Sequence, residues 1–143
     1  MTNILTFSHE MIRLSGHVDQ SRERSRRARV REERLRVTAG IKSLADMSSW
    51  RGRSGRRYVV GVHPVAEPGI AESAADAVVL AVKRSAEGIA EVVDVAGVDG
   101  YASANARSHW LARVETLGAT EVHIHRLAEG EEARRAIAED LRD

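Results

Sequence analysis

The apolar positions between residues 76 and 96, DAVVLAVKRSAEGIAEVVDVA, form two runs separated by a polar stretch that closes on Gly88. Two short apolar runs around such a turn predict a β-hairpin. In the first run both parities are apolar: Val78, Leu80 and Val82 alternate with Ala77, Val79 and Ala81. A strand built that way is expected to be covered on both faces. The second run, from Ile89 to Ala96, carries Glu91 on one face and Asp94 on the other.

The same pattern places the other elements. Arg57 to His63 (RYVVGVH) predicts a strand ended by Pro64, and the loop VAEPGIAESAA after it turns at Pro68-Gly69. That loop is long for a plain connection, which marks it as a place for function. Ala106, Trp110, Leu111 and Val114 form the apolar stripe of a helix over 103–117, with Gly118 as its C-cap glycine. EVHIHRL, from Glu121 to Leu127, alternates as a fourth strand with Val122 and Ile124 inward. Ala133, Ile137 and Leu141 define an amphipathic helix over Glu129–Leu141. The predicted fold is α+β. A three-strand meander, a helix, a parallel fourth strand and a C-terminal helix make a small mixed sheet with helices packed on it.

Ahead of this domain the spacing is helical. Ile4, Phe7, Met11, Leu14 and Val18 recur at steps of three and four, with Thr2 or Asn3 placed as a cap. That stripe either docks on the domain or pairs with a second copy in a homo-oligomer. Residues 20–36, QSRERSRRARVREERLR, are dominated by arginine, contain no proline or glycine, and offer only Val30 and Leu35 for burial. They predict a largely solvated helix. Val37, Ile41, Leu44 and Met47 carry the helical spacing to about Ser48, with Gly40 as a weak point. The predicted division is a basic helical arm over 1–50, a flexible connection over 51–57 (RGRSGRR), and an acidic domain over 58–143.

Charge sharpens this division. The chain carries a net +1, but residues 1–57 hold 14 Lys/Arg against 6 Asp/Glu, and residues 58–143 hold 8 against 15. Such asymmetry suggests a basic arm that seeks an anionic partner. Arg22, Arg24, Arg26, Arg27, Arg29, Arg31, Arg34 and Arg36 are the candidate contacts, to nucleic acid or to an acidic protein surface. The acidic residues within the same run, and its lack of aromatics, leave charge neutralisation inside an assembly as the other reading. There is no cysteine, so disulfides and thiolate chemistry are excluded. No apolar run reaches the length of a membrane span, and no secretory leader is evident. A cytoplasmic protein with no membrane partner is expected.

Candidate chemistry is sparse. Glu121, His123 and His125 share one face of the fourth strand, a spacing that suits a metal and equally suits polar groups turned to water. Ser54 lacks the spacing of a nucleophile elbow, and the glycines around it lack the lysine of a P-loop. No cofactor is implied. If the hairpin turns near residue 85 or 86, Asp76 faces residue 94 or 96, bringing it beside Asp94. Two such carboxylates can hold Mg²⁺ for phosphodiester hydrolysis. The predicted order over residues 57–127 resembles the restriction-endonuclease-like nucleases, whose acid sites would fall on Asp76 and Asp94. The family's lysine position is Ala96 here, and Ala75 stands before Asp76. A non-enzymatic binding or regulatory module is the leading expectation, and a metal-dependent phosphodiesterase is the alternative.

Overall fold

The computed structural model describes residues 29–35, 46–97 and 101–142. The fold is mixed α and β, as predicted, but the sheet differs. It has six strands, all antiparallel to their neighbours: β1 (Arg31–Glu33), β2 (Met47–Arg51), β3 (Arg57–Pro64), β4 (Val78–Arg84), β5 (Ala90–Ala96) and β6 (Glu121–His125). Their order across the sheet is β1-β2-β3-β6-β4-β5. The short α1 (Ile70–Ser73), α2 (Ala104–Thr116) and α3 (Glu131–Leu141) complete the fold.

Three expectations are corrected. Residues 31–33 and 47–51 are strands, not the end of a helical arm. Arginine and glutamate are good helix formers, but here pairing with the sheet overrides that preference. Residues 52–56 are a tight turn between β2 and β3, closed by Gly52 N–H on the Arg56 carbonyl at 2.8 Å, and not a flexible connection. The last strand is antiparallel and lies between β3 and β4, which breaks the expected meander. The predicted helix through Ile4, Phe7, Met11, Leu14 and Val18 lies outside the described residues, as do Val37, Ile41 and Leu44.

The sheet curls, so its two faces bury different sets of residues. The concave face gathers Val30, Trp50, Tyr58, Val60, Val78, Leu80, Val82 and Val95, and Ala138 and Leu141 of α3 close over them. The convex face of β4, β5 and β6 packs Val79, Ala81, Val122, Ile124 and Ala96 against Ile70 of α1 and Trp110, Leu111 and Val114 of α2. The apolar side chains of β4 are thus buried on both faces, as their pattern predicts. Each buried valine or leucine among them stabilises the fold by about 1.5–3 kcal/mol. Ser103 caps α2 by accepting a hydrogen bond from the Ala106 N–H at 3.0 Å. Arg107, itself buried, donates to the Ala71 carbonyl at 2.7 Å and the Ala102 carbonyl at 2.7 Å, tying α2 to α1.

The turn between β2 and β3 is anchored on α3. Asp140 accepts from the Ser54 N–H at 2.8 Å, the Ser54 hydroxyl at 2.7 Å and the Tyr58 hydroxyl at 2.7 Å. A side chain at Gly52 would run into the Asp140 carboxylate, so the close approach requires glycine. Burial pushes the Tyr58 hydroxyl up to about 12, with Asp140 adding to the effect. Among the described residues no helix is long and apolar enough to cross a membrane.

Candidate functional site

A polar cluster in the interior joins strands that are not neighbours. Arg84, at the end of β4, donates Nη1 and Nη2 to Glu32 of β1 at 3.1 and 2.9 Å. The same guanidinium donates Nε and Nη2 to Glu121 of β6 at 2.9 and 3.0 Å. Glu121 in turn lies 2.8 Å from His123 Nε2, and the Trp50 indole N–H donates to His123 Nδ1 at 2.9 Å across the intervening β3. Because an indole only donates, Nδ1 must be the acceptor, and the proton of His123 sits on Nε2, directed at Glu121. Every polar atom of the imidazole is thereby occupied.

Electrostatics agree with this reading. Burial would raise Glu32 and Glu121, but hydrogen bonds from Arg84 reverse that and hold both carboxyls below their usual range. Burial depresses His123, against the pull of Glu121, and keeps it neutral. The cluster pins the curl across its inside: β1 and β4 have three strands between them in the sheet, yet Glu32 and Arg84 form a forked ion pair.

The outer face of β1–β3 has the opposite balance. Arg31 is opposite Arg51, and Arg51 is opposite Arg57, so three arginines form one row across three strands. Like charges directly opposite one another destabilise a sheet. One carboxylate offsets this: Glu33 lies 3.4 Å from Arg31 Nε, 2.8 Å from Arg51 Nε and 3.0 Å from Arg57 Nη2. The hydrogen bond from Arg51 is the main reason the Glu33 carboxyl is held low. The Arg57 and Arg31 side chains remain 52% and 40% exposed. Arg53 and Arg56 of the anchored turn and Arg29 before β1 are exposed as well.

Of the arginines predicted as contacts, Arg29, Arg31 and Arg34 are described, and Arg34 lies 4.0 Å from Glu32. Arg22, Arg24, Arg26, Arg27 and Arg36 lie outside the described residues. Arg51, Arg53, Arg56 and Arg57 were missed as site residues. Their signal is SSWRGRSGRRYVV, two alternating segments around a glycine-containing turn, which is a hairpin signature.

Asp76 and Asp94 are not brought together. Asp76 is exposed in the loop before β4, at a positive φ of 53°, which aspartate tolerates. Asp94 is opposite Ala81, with a bulge beside it, so the register expected for the hairpin is replaced. Asp76 thus stands in the turn ahead of β4, whereas Asp94 pairs with a residue inside that strand. The Asp94 carboxylate accepts from Trp110 Nε1 at 2.8 Å, Arg113 Nη2 at 2.9 Å and the Val95 N–H at 2.9 Å. Glu121, His123 and His125 do share one face, but His125 Nδ1 lies 2.8 Å from the Val59 carbonyl and its ring meets Tyr58 edge-on at 5.5 Å. No group of three or more His, Asp or Glu is placed to hold a metal ion among the described residues.

Comparison with family models, with curated proteins and with solved structures found no match to this chain.

Proposed function

We propose that the protein is a non-enzymatic binding module that recognises an extended polyanion, nucleic acid in the first place, through the outer face of β1–β3 and the arginine-rich sequence before it. The alignment of Arg31, Arg51 and Arg57 in one row across three strands, gathered around Glu33, is the observation that supports this reading. Neighbouring strands are about 4.8 Å apart, so the row spans roughly 10 Å, a reach that suits successive phosphates of a strand. Guanidinium groups meet phosphate through forked hydrogen bonds, so a rigid row of them is suited to a phosphate backbone. The interior titratable groups, by contrast, are consumed by one another, which favours binding over catalysis. An acidic protein surface is the second partner of the same chemistry.

The test is binding of the full chain to mixed-sequence nucleic acid from about 50 to 200 mM salt. The reading expects affinity to fall steeply and linearly on logarithmic axes. Absence of binding at the lowest salt would overturn the nucleic-acid reading and leave the protein partner.

A further inference from the structure

A second surface, which shares no residue with the arginine row, has a different character. An open groove of about 880 Å³ runs between α2, α3 and the outer strand β5. That volume is in the range of small-molecule sites. Its apolar lining is Trp110, Val95, Ala96 and Ala138, and its polar lining is Arg113, Arg135, Arg142 and His109 with the carboxylates of Asp94 and Glu139.

Arg113 and Arg142 are only partly used. Arg113 gives Nη2 alone to Asp94, and Arg142 gives Nη1 to Glu139 at 2.9 Å and Nη2 to the Val95 carbonyl at 3.2 Å. A guanidinium has five N–H donors, so donors remain on both. Their side chains are 62% and 50% exposed, so Asp94 and Glu139 hold them weakly. One more feature points to a ligand. Tyr101 lines the groove, is only 4% exposed and stands edge-on to Trp110 at 5.4 Å, yet its buried hydroxyl has no hydrogen-bond partner among the described residues. Unpartnered buried polar groups are rare and costly.

We propose that this groove binds a small organic anion whose carboxylate or phosphate sits between Arg113 and Arg142 and whose flat apolar body lies against Trp110. An oxygen of the ligand entering beside Trp110 completes the hydrogen bonding of Tyr101. This site is independent of the polyanion reading, because it shares no residue with the arginine row.

The experiment titrates the full chain with benzoate, phenyl phosphate and benzyl alcohol while following the two indole N–H signals by NMR. The proposal expects a saturable shift of the Trp110 signal with one or both anions, and none with benzyl alcohol. The stronger of benzoate and phenyl phosphate identifies the anionic group. The Trp50 signal, held by His123, reports that the fold is intact. In the R113Q/R142Q variant the dissociation constant should rise at least tenfold with Trp50 unmoved. No anion-dependent shift up to about 10 mM, an equal response to benzyl alcohol, or undiminished binding by the double variant would overturn the proposal.

Discussion

Inside the curl one guanidinium is shared by two carboxylates; on the outer face three guanidiniums gather around Glu33. Arg84 has its two acids, Glu32 and Glu121, almost out of water, with side chains 8% and 21% exposed. Desolvation there makes every unpaired charge expensive, and the cluster is arranged so that none is left. The row of Arg31, Arg51 and Arg57 lies where water can complete its solvation, so it can hold excess positive charge at little cost. The comparison teaches that a dense set of charged residues is read by its balance and its exposure, not by its count. A buried cluster balanced in charge holds a fold, whereas the outer row keeps a surplus of positive charge at a surface where Arg57 and Arg31 are 52% and 40% exposed.

The largest expected effect comes from unbalancing the interior. Arg84→Met strands two buried carboxylates and should cost about 3 kcal/mol or more of stability, read from the urea midpoint. Adding Glu32→Gln and Glu121→Gln to the same chain should recover much of that loss, because the penalty lies in the orphaned charges. If the triple variant is as unstable as the single one, balance is not what the cluster provides.

Acidification should act on the same cluster in two steps. His123 is neutral when folded, with its pKa below the ordinary 6.5, so the unfolded chain takes up the proton first and stability falls as pH drops below about 6.5. Glu32 and Glu121 are held below 4.5, so their contribution is present above that value and is lost as pH falls through it. Urea midpoints at pH 7, 5.5 and 4 should therefore decline in order. Trp50→Phe should cost about 1–3 kcal/mol by leaving the buried His123 Nδ1 without a donor. It should also raise the pH at which His123 titrates by NMR, because a proton on Nδ1 would no longer meet an indole N–H.

Smaller still is the expected effect of Glu33→Gln. Removing the carboxylate that offsets the arginine row should lower stability by no more than about 1 kcal/mol and tighten binding to nucleic acid at low salt. Weaker binding would mean that Glu33 orients the arginines more than it neutralises them.

Much of the framework was legible in the sequence. Val78 to Val82 announced a strand buried on both faces, Ser103 to Gly118 marked a capped helix, and EVHIH alternated as the sixth strand does. What local pattern could not carry was pairing at long range. Glu32 sits in a run that reads as helix, and its forked ion pair is with Arg84, 52 residues away. Trp50 and His123 meet 73 residues apart. The hairpin turns later than expected, with Arg84 opposite Ala90, and the bulge between Ala81 and Val82 adds one more step, so Asp94 pairs with Ala81. The candidate site was half legible: the arginines were evident, but their alignment in a row depends on two strands that helix propensity concealed.

The most direct test of the contrast replaces Arg31, Arg51 and Arg57 together by alanine and measures nucleic-acid binding across a salt series. Each lost phosphate contact should lower the slope of log K against log salt by about 0.7–0.9, so the triple variant should lose roughly two to three units of slope while remaining folded. A folded triple variant with the affinity and slope of the parent would contradict the account and return the row to a purely structural role.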